Sequence, residues 1–229
     1  LDEKEFAQEI RVVMEERRMR TDDNPQAKLF EQMNAVAFQA HPYRRPIIGW
    51  MSDLENMTTA DARAWYDTWY VPGNAYVVIS GDVDNKEVFA QAEHSYGKVE
   101  TRAMPQRKSQ IEPRQEGLRR LTVKAPAELP MLVMGYKAPI VRKPASDTDP
   151  YTLEILSAIR DGHDAARFNA RLVREDKIAL SAGVEYDNNA RGPGMFFLYA
   201  TPSEGRSIAA LETALRAEIT RIQQDGVRE

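Results

Sequence analysis

Apolar side chains in the first twenty residues recur on a helical period. Phe6, Ile10, Val13 and Arg17 fall on one side at spacings of three and four, which predicts a helix over residues 1–20. The turn-forming run Asp22-Asp23-Asn24-Pro25 separates it from a second helix expected at about Gln26 to Phe38. Residues 41–50 hold two prolines and a glycine and read as loop. Thr58-Thr59-Ala60-Asp61 marks a helix start, continued by an aromatic stripe of Trp65, Tyr66, Trp69 and Tyr70 that is expected to be core. After the turn Pro72-Gly73-Asn74, the β-branched run from Ala75 to Ser80 predicts a buried strand, and Asp84 to Ser95 returns to helix.

The pattern breaks between Lys98 and Gly117, where prolines and basic residues replace periodicity and a linker is expected. Beyond it, strands are expected at 118–124, 131–137, 179–186 and 194–201. Helices are expected at 150–159, 165–174 and 207–224. Strands and helices are grouped rather than strictly alternating, so the fold class is α+β. The expected domains are 1–100 and 118–229, joined by a linker at 101–117.

Composition narrows the function classes. With 42% hydrophobic residues, 29% charged and a net charge of −4, the chain has the material for a core and is not intrinsically disordered. No apolar run approaches the roughly 18 residues of a membrane-spanning helix. Zero cysteines exclude disulfides, Cys-ligated metal and a thiol nucleophile. Mild acidity gives no pull toward nucleic acid. The chain opens at Leu1 in charged, helix-like sequence without a signal or transit segment and is read as a piece of a longer protein.

The chemistry is concentrated in residues 9–18. At about 100° per residue, Glu9 and Glu16 differ by only ~20° in azimuth, and both lie at the border of the apolar stripe, between Val12 and Val13. Glu15 points about 100° away from Glu16, outward. Carboxylates aimed at a partly buried surface need a cation or hydrogen bonds to meet them. The plain alternative is a solvated helix with Glu–Arg pairs such as Glu16 with Arg20. Arg17, Arg18 and Arg20 read as a solvated basic run, and Asn56-Met57-Thr58 as a chance glycosylation match.

This helix resembles the third-ligand helix of the pitrilysin/insulinase-type zinc peptidases, the inverzincins, in which one Glu precedes another by seven residues. The resemblance continues through His41-Pro42-Tyr43-Arg44-Arg45-Pro46-Ile47-Ile48-Gly49, through Trp65 to Ala75 and through Val77 to Val83. In the second block, Pro130 to Tyr136 and Arg171 to Leu180 are similar to segments of the family's second homologous domain. The resemblance implies two homologous α/β units of the pitrilysin-like fold, the first incomplete at its N-terminus and the second at its C-terminus.

The resemblance also implies roles. Glu16 would be a zinc ligand, Glu9 its supporting carboxylate, and Arg174 a substrate-binding residue. A zinc-activated water would hydrolyse peptides or small unfolded proteins. Two departures stand out. There is no His-x-x-Glu-His here; the three histidines are His41, in a Pro-flanked loop, and His94 and His163, read as solvated. The general base and two zinc ligands would therefore lie upstream, and this piece alone would be inert. The family's Tyr seven residues after its Arg is Ser181 here, and Tyr186 is out of register. The alternative is a non-catalytic family member that partners or scaffolds an active subunit. Under either reading the resemblance implies a homo- or heterodimer with another family subunit as a partner arrangement. The resemblance favours a bacterial, periplasmic setting over a cytoplasmic one.

Overall fold

Helix starts follow local capping chemistry. The computed structural model describes residues 2–161 and 166–226. Helix α1 (Glu3–Arg17) opens on a reciprocal box: the Asp2 carboxylate accepts from the Glu5 N–H at 2.7 Å, and the Asp2 N–H donates to the Glu5 carboxylate at 3.3 Å. A wide helical turn, Arg18–Asp22, follows it. Helix α2 (Pro25–Ala37) is capped by Asn24 with proline at its first position. The six-residue α3 (Met51–Asn56) has no side-chain cap and no long period, and sequence reading did not find it. Helix α4 (Thr59–Trp69) starts at the expected Thr58–Asp61 box, and α5 (Asn85–Tyr96) at Asp84.

The chain divides into two compact units: Leu1–Met19 with Pro46–Gln110, and Arg20–Arg45 with Ile111–Glu229. The first carries α1, α3, α4 and α5. Among its described residues Arg17, Leu54 and Val71 are buried, whereas Trp65, Tyr66 and Tyr70 are exposed. The aromatic stripe is therefore not core. Its rings pack on one another, Trp65 on Trp69 at 5.6 Å and Tyr66 on Tyr70 at 4.7 Å, and the Arg107 guanidinium lies 4.2 Å over Trp69. Residues 75–80 likewise form no strand, and Tyr76 and Val78 are almost fully exposed. A strand exists only when a neighbour accepts its ladder bonds, and no described residue of this unit supplies one.

The second unit is a three-stranded antiparallel sheet in the order β1 (Leu132–Ala138), β3 (Gly194–Pro202), β2 (Ala179–Tyr186). Met134 and Val184 both face Leu198 across the ladders. On this face Met134, Ala182, Phe196, Leu198 and Ala200 pack against Phe168 and Leu172 of a wide helical segment, Phe168–Glu175, and against Leu211 and Leu215 of α7 (Ile208–Asp225). The other face meets α2: Phe30 sits edge-on to Phe197 at 5.6 Å, and the Met33 methyl lies where a side chain on Gly135 would go. Helix α6 (Asp149–Arg160) completes the unit. Residues 118–124 form no strand either. Side chains anchor them instead, with Arg119 donating to the Val36 and Ala37 carbonyls and Arg120 bonding Glu212 at 2.7 Å.

Candidate functional site

Helix α1 follows the predicted period at Phe6, Ile10, Val13 and Glu16, which are half-buried, but Glu9, expected beside Glu16 on partly buried surface, is exposed, as is Val12. Glu15 points outward and pairs with Arg18, its side chain 70% exposed. The basic run splits: Arg18 and Arg20 are solvated, but Arg17 is only 4% exposed. Its Nη1 donates to the Gly49 carbonyl at 2.7 Å and its guanidinium lies 5.6 Å from the centre of the Trp50 ring. Position 17 belongs to the inward stripe, and there its cation meets a backbone carbonyl and an aromatic face.

The His41 loop is built for structure. Pro42–Arg44 is a single tight helical turn, and the His41 Nδ1 accepts the Tyr43 N–H at 3.2 Å. That bond requires Nδ1 without a proton. Burial lowers the His41 pKa; Glu112 opposes this and Arg142 adds to it. The Glu112 carboxylate accepts the successive N–H groups of Gln39, Ala40 and His41 at 2.9 Å each, and Lys137 Nζ at 2.8 Å. Burial alone would raise the Glu112 pKa, but the bonds from Lys137 and the three backbone groups outweigh it and hold it at about 2. The Tyr43 hydroxyl accepts the Gly192 N–H at 2.8 Å. Sequence reading did not find Glu112, since backbone N–H partners over 70 residues away leave no residue signature.

His94 is exposed in the last turn of α5, as expected, and His163 lies outside the described residues. Arg174 is exposed near the end of Phe168–Glu175. Ser181 is exposed on β2, opposite Thr201 beside a register irregularity. The Tyr186 hydroxyl donates to the Pro139 carbonyl at 2.5 Å, and burial raises its pKa with help from Glu154 and Asp187.

Glu16 suits one oxygen-donor position on zinc. Among the described residues, however, no group of three His, Asp or Glu side chains could hold a metal ion, so a metal centre cannot be completed from them.

A family model described as the M16 peptidase inactive domain matches residues 56–229. The chain belongs to the M16 peptidase family. This bears out the resemblance to the pitrilysin-type peptidases. The zinc protease PqqE of Helicobacter pylori is 29% identical over 240 residues, which cover 100% of this chain and 53% of that protein. An uncharacterized zinc protease of Rickettsia felis is 22% identical, over 97% of this chain and 52% of its own length. The chain thus spans about half the length of these curated relatives.

Solved structures agree on the mixed α and β fold expected from sequence. A protease from Helicobacter pylori superposes with a TM-score of 0.88 at 27% identity, covering 100% of this chain and 55% of that one. The M16 inactive domain from Pseudomonas fluorescens gives 0.75 at 15% identity, over 99% of this chain and 53% of that one. Among the described residues no helix is long and apolar enough to cross a membrane.

Proposed function

We propose that this chain is part of a bacterial zinc metalloendopeptidase whose metal is held in part by Glu16. The observation that carries the reading is the orientation of α1, with half-buried Glu16 beside the anchored Arg17 and Glu15 turned out to solvent. The relatedness to a zinc protease over the whole chain supports it. Glu9 is the supporting carboxylate, two turns back on the same face. Two further ligands and the general base come from sequence outside this chain. Zinc, when bound, supplies Lewis acidity and acidifies water; the residues described here orient one ligand and carry none of the proton transfers.

In this reading, residues 1–100 are the latter part of the metal-bearing unit, 101–117 the linker and 118–229 the second homologous unit, with Arg174 contacting a peptide substrate. The match of 56–229 to an inactive domain supports a non-catalytic second unit. The family resemblance favours the periplasm. A second reading, a non-catalytic subunit that partners an active one, draws on Ser181 standing where an oxyanion-donating tyrosine is expected.

The test is cleavage of a quenched peptide by the full-length protein and by this chain, with and without chelator. Chelator-sensitive cleavage by the full-length protein alone supports the peptidase reading. A full-length protein that neither binds zinc nor cleaves peptide supports the partner reading.

A further inference from the structure

We propose that Arg17 is a positioning residue that sets the azimuth of α1 and thereby selects Glu16, rather than Glu15, to face inward; this rests on the metal-ligand reading of Glu16. Apolar packing specifies that azimuth weakly, because Phe6, Ile10 and Val13 are only half-buried and hydrophobic burial is non-directional. Arg17 is directional. A buried guanidinium is costly unless its donors are met, and its planar fork aims them along fixed lines. Here Nη1 meets the Gly49 carbonyl at 2.7 Å and the guanidinium lies 5.6 Å from the Trp50 ring centre, while among the described residues its buried Nε makes no hydrogen bond, so the direction rests on the Nη1 bond and the ring contact.

The anchor is itself held. The Gly49 N–H closes a turn onto the Pro46 carbonyl at 3.1 Å, and the Trp50 carbonyl accepts from Asp53 and Leu54 at the start of α3. Gly49 adopts φ 97°, a conformation that favours glycine. Turning α1 by one residue, about 100°, would break both Arg17 contacts and exchange Glu16 for Glu15.

The experiment measures zinc affinity by chelator competition and thermal stability in the full-length protein, for Arg17→Met, Arg17→Lys, Val71→Ala and Glu16→Gln. Arg17→Met fills similar space without the fork and is expected to weaken zinc binding about tenfold or more, at temperatures where it is fully folded. Arg17→Lys keeps the charge and is expected to fall between it and the wild type. Val71→Ala, a packing change in the same unit at a buried position that touches neither Gly49 nor Trp50 in any described contact, is expected to lower the melting temperature and leave zinc affinity within about twofold.

Arg17→Met or Arg17→Lys that loses stability while retaining full zinc affinity overturns the proposal, as does equal zinc loss in Val71→Ala. Undiminished zinc binding in Glu16→Gln would instead overturn the metal-ligand reading itself. If Arg17→Met does not fold, Arg17→Lys against Val71→Ala decides the matter.

Discussion

The Glu112 carboxylate sits 2.8 Å from Lys137 Nζ while also accepting three successive backbone N–H groups from residues 39–41. It thereby fastens the start of the second unit's second segment to the His41 loop. Replacing it with Gln removes the charge from four bonds and is expected to destabilise this unit by about 2–3 kcal/mol, read by chemical denaturation.

The same carboxylate gives a pH signature. Its folded pKa of about 2 lies below the ordinary 4.5, so the ionised form is favoured by folding. Its contribution is full above about pH 4.5 and is lost as pH falls toward about 2. The stability gap between wild type and Glu112→Gln is therefore expected to narrow across that window. A gap independent of pH from 5 to 2.5 would show that the charge is not what the loop uses.

Gly192 permits a close approach. A Cβ there would lie 2.5 Å from His41 Cε1 and 2.7 Å from the Tyr43 ring, whereas one on Gly73 would meet nothing within 4 Å. Gly192→Ala is expected to destabilise by about 1–3 kcal/mol by overpacking, and Gly73→Ala to be near neutral. Thermal melts of the two variants make the comparison.

How much of this was legible beforehand differs between the two units. The strands at 131–137, 179–186 and 194–201 were found within a residue or so, because their partners lie within the same unit and β3 alternates buried and half-buried positions throughout. The Thr58–Asp61 box and the Asn24-Pro25 start were readable because caps are local chemistry. Residues 75–80 have strand composition but no ladder partner among the described residues. Arg17 lay visibly on the apolar stripe, yet nothing local announced that Gly49 and Trp50 would receive it.

Tyr186 separates structure from catalysis. Because its hydroxyl is already given to the Pro139 carbonyl, Tyr186→Phe is expected to cost about 1 kcal/mol of stability and leave kcat of the full-length protein unchanged. Arg174→Ala is expected to raise KM with stability unaffected, since Arg174 is exposed. A hundredfold fall in kcat for Tyr186→Phe, the scale of losing an oxyanion donor, would assign that hydroxyl to the reaction.

Zinc content decides whether Glu16 holds the metal. In the full-length protein, Glu16→Gln and Glu15→Gln differ by one position on α1, one side chain half-buried and the other outward and paired with Arg18. Zinc near one per chain is expected in wild type and Glu15→Gln, and its loss in Glu16→Gln. Equal retention in both variants, or loss in Glu15→Gln alone, would rule out Glu16 as the ligand.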